Sequence, residues 1–196
     1  GLEHGVARLA GLVADVLRLT DLQSGRARTD FQARRRLCAD WADVVRAVAC
    51  RFEGSARGRG LRLVTRCGDR GVGEADPIFL ADALARLVDN AVKFSPEGGE
   101  VRLVGSTSSD SLELSVVDEG PGYDQDRLDR LFQPFEQGNR ELREQQGLGN
   151  GLAICRALVE LHGGSLRAEA LPQRGTRFTI AIPLVGSGDT TAVVSA

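Results

Sequence analysis

Asp76-Pro77 and the apolar residues that follow, Phe79, Leu80, Ala83, Leu84, Leu87, Val88 and Ala91, constrain the fold more than any other stretch of the chain. An aspartate before a proline reads as a helix start, because the carboxylate can accept from amides of the first turn while proline gives up an N–H that has no partner inside the helix. The apolar positions recur at helical spacing and share one face. A face this wide has to be covered by other elements, and Ser95-Pro96 and Gly98-Gly99 then end the helix.

The flanking segments are short and alternate in character. Leu61 to Cys67 reads as a strand and Gly68 to Gly73 as a loop, Val101 to Val104 and Leu112 to Val117 as a strand pair, and Ser165 to Ala170 and Arg177 to Pro183 as two more strands. A helix from Leu152 to Leu161 ends at His162-Gly163-Gly164. Upstream, Asp40 caps a helix that runs through Val44, Val45 and Val48 to Phe52, where Gly54 to Gly60 breaks it. Between Gly122 and Gly151 the chain is polar around Leu131, Phe132 and Phe135, and is expected to be a mobile segment with one hydrophobic anchor. Helices alternating with antiparallel strands predict an α/β fold, a two-layer sandwich with helices on one face of a mixed, mostly antiparallel sheet.

Before this domain, Val6, Leu9, Leu12, Val13, Val16, Leu17 and Leu19 form the stripe of an amphipathic helix that ends at Ser24-Gly25. The expected organisation is therefore a helix over 1–25, a linker or first strand over 26–39, the main domain over 40–184 and a disordered tail over 185–196.

Composition excludes several classes. Arginines crowd Arg26 to Arg70 within a chain of formal net charge −2, but no aromatics are interleaved as stacking platforms, so nucleic acid is not an expected partner. Cys38, Cys50, Cys67 and Cys155 lack zinc-site spacing and read as thiols of a reducing compartment. No apolar run approaches the roughly 20 residues that span a bilayer, and no secretory signal is present. The abrupt start at Gly1 reads as the edge of a longer protein, with any membrane anchor lying outside it.

Four groups of residues carry chemistry, the last of them the Arg174-Gly175-Thr176 turn into the final strand, which reads equally well as structural. Arg86, Asn90 and Lys93 fall on one face of the capped helix, where an amide oxygen suits a hard cation and an ammonium suits phosphate. Asp118 follows an alternating strand and leads into Gly120-Pro121-Gly122; a carboxylate at the rim of a core needs a donor such as an exocyclic amine of adenine, and glycines let backbone approach a flat base. Gly147-Leu148-Gly149-Asn150-Gly151-Leu152-Ala153-Ile154 is a glycine-rich loop feeding a helix, which aims amides at phosphate. It is neither a P-loop nor a G-x-G-x-x-G fingerprint.

In this order, Leu87-Val88-Asp89-Asn90-Ala91-Val92-Lys93-Phe94-Ser95, Asp118-Glu119-Gly120-Pro121-Gly122, Leu131-Phe132-Gln133-Pro134-Phe135 and Gly147 to Ile154 resemble the ATP-binding domain of sensor histidine kinases, within the family shared with DNA gyrase. The resemblance implies a Bergerat-type sandwich that binds ATP and Mg²⁺. It implies Asn90 as the magnesium ligand, Lys93 on phosphate, Phe94 beside the adenine and Asp118 reading the base. Gly120 and Gly122 match the first glycine box, and Phe132 and Phe135 the anchors of a lid. Gly147, Leu148, Gly149, Asn150, Gly151 and Leu152 match the second glycine box, and Thr176 a position near the base pocket. The helix over Leu12 to Leu19 resembles the second helix of a dimerisation and histidine-phosphotransfer module. The implied partners are a histidine-bearing helix of the same parent and a response-regulator receiver domain, in a homodimeric parent at work in the cytoplasm, as the cytosolic part of a membrane-bound sensor or otherwise.

Arg86 departs from that pattern, which has a second asparagine there in sensor kinases and a glutamate in hydrolytic relatives. A guanidinium neither activates water nor binds a cation, so a gyrase-like hydrolase lacks its base and the metal rests on Asn90. Neither His4 nor His162 lies in a phosphoacceptor context. Two alternatives stand beside the kinase: a degenerate kinase that uses nucleotide as a conformational ligand, which Arg86 favours, and an anti-sigma-type serine kinase, which the preceding helix disfavours.

Overall fold

The helix opened by Asp76-Pro77 is the centre of the molecule. In a computed structural model, which describes residues 2–38, 41–68, 72–123, 131–132 and 150–184, it runs Pro77–Phe94 (α4), and Phe79, Leu80, Ala83, Leu84, Leu87, Val88 and Ala91 are all buried. The Asp76 carboxylate caps it, accepting from the amides of Ile78 at 2.9 Å and Phe79 at 3.4 Å. Each large aliphatic side chain so buried contributes about 1.5 to 3 kcal/mol.

The elements in chain order are α1 (Leu2–Gln23), α2 (Arg26–Arg34), β1 (Arg36–Cys38), α3 (Trp41–Gly58), β2 (Arg62–Cys67), β3 (Gly73–Ala75), α4, β4 (Glu100–Thr107), β5 (Ser111–Val117), α5 (Gly151–Leu161), β6 (Ser165–Ala170) and β7 (Thr176–Pro183). Strands β2-β4-β5-β7-β6 form one sheet in which only the β2–β4 pair is parallel. Strands β4, β5 and β7 alternate buried residues with half-buried or exposed ones, so one face of the sheet meets α3, α4 and α5 while the other is open to water. This is the two-layer sandwich expected from the pattern.

Helices α4 and α5 run antiparallel. The Asp76 amide donates to Nε2 of His162 at 3.2 Å, and seven residues along each helix the Cys155 thiol donates to the Ala83 carbonyl at 3.3 Å. One further turn brings Gly151, the N-terminus of α5, level with Leu87.

Three local expectations are corrected. The stretch expected as a linker or first strand does hold β1, but a helix, α2, comes before it, because Gly25 at φ 78° turns the chain and Ala27 and Phe31, four residues apart, plug into the core. The second helix does not stop at Gly54: it continues to Gly58, held by the buried Ala56, and ends where Gly60 takes φ 67°. The loop expected over Gly68 to Gly73 gives way at Gly73 to a short strand, β3, which pairs antiparallel with β1. The expected cap at Asp40, the polar segment apart from Tyr123, Leu131, Phe132 and Asn150, and the tail over 185–196 lie outside the described residues.

The first helix matches its expected span, and it has two sides. Leu19 and Leu22 pack against the core, whereas Val6, Leu9, Val13, Val16 and Leu17 are 48 to 64% exposed.

Candidate functional site

Asp118 sits one residue beyond the end of β5, at the point where the sheet meets the C-terminus of α4. Its amide donates to the Thr176 carbonyl at 3.0 Å, which extends the β5–β7 ladder by one step. Its carboxylate accepts from the Gly120 amide at 2.8 Å. The side chain is buried, and burial raises its pKa above 3.8 against the opposing pull of the Gly120 and Thr176 amides. A carboxylate so placed has its charge poorly solvated and accepts strongly from any donor that reaches it.

Glycine is required on both sides of this carboxylate. A Cβ on Gly120 would lie 2.8 Å from Asp118 Oδ1 and 3.2 Å from the Phe94 carbonyl, so the loop passes over the end of α4 with no room for a side chain. Gly175, at φ 99°, lies under the Asp118 carbonyl in the same way. Arg174 steadies the arrangement by donating from Nε to the Gly120 carbonyl at 3.2 Å. Tyr123 closes one side, its ring edge-on to Phe178 at 6.3 Å, and burial followed by the Asp118 charge pushes its hydroxyl up to about 12.

From this pocket α4 leads away past Phe94, Lys93, Asn90 and Arg86 in turn. Phe94 is half-buried. Lys93 is paired with Asp89 at 2.5 Å, so it would have to exchange that carboxylate for any phosphate. The Asn90 amide makes no hydrogen bond to a described residue, which leaves a carbonyl oxygen for a hard cation. No group of three acidic, histidine or cysteine residues that could hold a metal occurs among the described residues. A Mg²⁺ ion here would therefore take most of its ligands from water and phosphate, as Mg²⁺ commonly does. The N-terminus of α5, with buried Asn150 and Leu152 around Gly151, faces the same stretch of α4.

Of the expected site residues, Asn90, Lys93, Phe94, Asp118, Gly120, Gly122, Phe132, Asn150, Gly151, Leu152 and Thr176 are described, and Thr176 is buried against Asp118. Phe135, Gly147, Leu148 and Gly149 lie outside the described residues. Of the Arg174-Gly175-Thr176 turn the sequence places only Thr176 near the base pocket, and nothing in the sequence marks Tyr123.

Arg86 points away from the pocket's rim and into an ion-pair network. Its Nε lies 3.1 Å from Asp82 Oδ1 on the preceding turn, and its Nη1 lies 2.8 Å from Asp15 Oδ1 on α1. Pairing with Asp82 is what the i, i+4 spacing leads one to expect; the partner on α1 is 71 residues away in sequence.

The family model describing histidine kinase-, DNA gyrase B- and HSP90-like ATPases matches residues 75–186, from the cap of α4 past the end of β7. The chain belongs to this family. Within it the similarity is to sensor histidine kinases. An uncharacterised sensor-like histidine kinase of Rhizobium meliloti is 33% identical over 92% of this chain and 34% of that protein. The histidine protein kinase DivJ of Caulobacter vibrioides is 32% identical over 90% of this chain and 29% of that protein. Full-length ShkA in complex with AMPPNP is 28% identical with a TM-score of 0.74, over 91% of this chain and 36% of that one. The catalytic domain of the histidine kinase ThkA, at 24% identity and a TM-score of 0.67, shares the fold over 76% of this chain and 97% of its own. The domain built on α4 is thus the ATP-binding catalytic domain of sensor histidine kinases, and the chain spans about a third of the length of the curated relatives it matches.

Proposed function

We propose that this chain transfers the γ-phosphoryl group of ATP to a histidine on a helix outside it, using a single site that runs from Asp118 along α4. The observation that carries this reading is the buried Asp118 carboxylate, set between the Gly120 amide and the Gly175-Thr176 turn at the rim of the sheet. There it accepts from the exocyclic amine of adenine while Gly120 lets the base lie close. A guanine presents a carbonyl at that position and is rejected, because two acceptors would face each other without a proton.

With the base at the α4 C-terminus, the phosphates lie toward Asn90, opposite the N-terminus of α5, whose amides and positive end suit them. Lys93 exchanges Asp89 for a phosphate oxygen. Asn90 would hold Mg²⁺, which when bound would neutralise charge on the phosphates. The bond from the γ-phosphorus to the β–γ bridging oxygen breaks as a bond to a histidine ring nitrogen forms, and ADP leaves. Arg86 presents a guanidinium where a hydrolase needs a base, which supports transfer over hydrolysis.

The exposed stripe Val6, Leu9, Val13 and Val16 repeats at alternating steps of three and four, the spacing of a helix-bundle seam. It supports a parent in which α1 joins a histidine-bearing helix and a second subunit, with a response-regulator receiver domain as the next acceptor. The histidine kinase ThkA has been solved with the response regulator TrrA. No helix among the described residues is long and apolar enough to cross a membrane, which is compatible with a site of action in the cytoplasm.

Titration calorimetry with ADP and GDP tests the site. ADP is expected to bind, GDP to bind far more weakly, and Asp118→Ala to lose about 1.5 to 3 kcal/mol, roughly ten- to a hundredfold. Equal affinity for the two nucleotides would remove Asp118 from the base pocket.

A further inference from the structure

Three arginine–aspartate pairs fasten the first two helices to α4 and its cap. Arg34 of α2 reaches Asp76 at 2.8 Å, Arg18 of α1 lies 3.0 Å from Asp82, and Asp15 of α1 lies 2.8 Å from Arg86. The first two are reinforced by stacking, since the Arg18 and Arg34 guanidinium groups both lie over the Phe79 ring, at 5.1 and 4.6 Å. The third is not. Asp15 and Arg86 are 23% and 17% exposed, enclosed enough to be weakly screened and open enough to exchange partners.

Arg86 also lies next in line along the proposed phosphate path. The base pocket abuts the Phe94 carbonyl, Asn90 is one turn closer to the helix start, and Arg86 one turn beyond that, a rise of about 5.4 Å. The antiparallel packing sets the α5 N-terminus against this same turn. A phosphate chain that passes Asn90 therefore ends within an arginine's reach of Arg86. Asp82 holds Nε of Arg86 from its own helix, so releasing Asp15 leaves the guanidinium anchored with its terminal nitrogens presented, the geometry in which arginine takes phosphate oxygens in pairs.

We propose that Asp15 and the terminal phosphate of a bound nucleoside triphosphate compete for Arg86, so that seating α1 across α4 and gripping the γ-phosphate are alternative uses of one side chain. The proposal rests on the nucleotide reading above. A triphosphate then differs from a diphosphate in loosening α1, and α1, when seated, weakens the triphosphate selectively. By reciprocity the two effects have the same magnitude.

The test compares AMPPNP and ADP affinities for the chain and its variants, with amide hydrogen exchange of α1 measured alongside. Asp15→Asn removes the competing charge at constant size and is expected to raise the AMPPNP-to-ADP affinity ratio about fivefold or more. Asp15→Glu should keep the original ratio. Arg86→Gln should lower the ratio and make it insensitive to Asp15→Asn. In the unmodified chain AMPPNP, but not ADP, should speed exchange in α1. If neither nucleotide binds, the nucleotide reading and this proposal both fall. If both bind, yet Asp15→Asn leaves the ratio unchanged or α1 exchanges alike with either nucleotide, the competition is wrong while the site stands.

Discussion

A side-chain carbon on Gly175 would stand 1.9 Å from the carbonyl oxygen of Asp118. Gly175 also holds φ 99°, so alanine there meets both a clash with backbone and a disfavoured conformation. Gly175→Ala is expected to cost about 3 kcal/mol, roughly 10 °C in melting temperature, and to weaken ADP because the Asp118 strand end must move. Gly54→Ala is the control: no atom lies within 4 Å of the added carbon, and a helix interior gains about 0.5 to 1 kcal/mol from the exchange. Thermal melts of the two variants should move in opposite directions.

The α4–α5 packing predicts an ordered pattern of thiol reactivity. Cys155 is buried, donates to the Ala83 carbonyl, and has its thiol pushed well up by burial, whereas Cys50 and Cys67 are exposed. Since the thiolate is the reactive form, an aromatic disulfide reagent should modify Cys50 and Cys67 in the folded chain and reach Cys155 only on unfolding. Peptide mapping of the labelled sites checks this. Early labelling at Cys155 would mean that the two helices are not packed as described.

Asp118 should give stability and binding opposite dependences on pH. Its folded pKa lies above 3.8, so over the window between the two values folding takes up a proton and the contribution to stability falls as pH rises. The form that accepts from adenine is the carboxylate, so ADP affinity should rise across the same window and level off above it. Calorimetry from about pH 4 to pH 8 follows the affinity. The slope assigned to Asp118 should vanish in Asp118→Asn, and a slope that survives in that variant belongs to another group.

The central helix and all five strands of the main sheet were legible because each carries a local signal: a cap and wide apolar face in α4, two-residue alternation in β2, β4, β5, β6 and β7. Helix α2 was not, because its sequence is mostly polar and Ala27 and Phe31 are its only buried residues. Strands β1 and β3 are short, and the contact that defines them joins residues 37 positions apart, Leu37 with Glu74. The same division holds at the site. Asn90, Lys93 and Asp118 stand in recognisable strings, and Asp82 as a partner for Arg86 follows from helical spacing. Asp15 as its second partner, and Gly175 beneath Asp118, depend on how distant segments are brought together, which no local pattern encodes.

Phosphoryl transfer itself is the most direct test of the account. A nucleophile must be held in line with the γ-phosphorus at about 3 to 3.5 Å, and His162 instead has both ring nitrogens engaged at the far end of α4, with Asp76 and the Leu158 carbonyl. Incubated with γ-labelled ATP and Mg²⁺, the chain alone should remain unlabelled. With a separately supplied histidine-bearing helix module of its parent, it should label that module at a rate proportional to concentration, and joining the two should raise the rate by making the encounter intramolecular. Acid-labile label on His4 or His162 of the chain alone, or no label on the joined protein, would contradict the account.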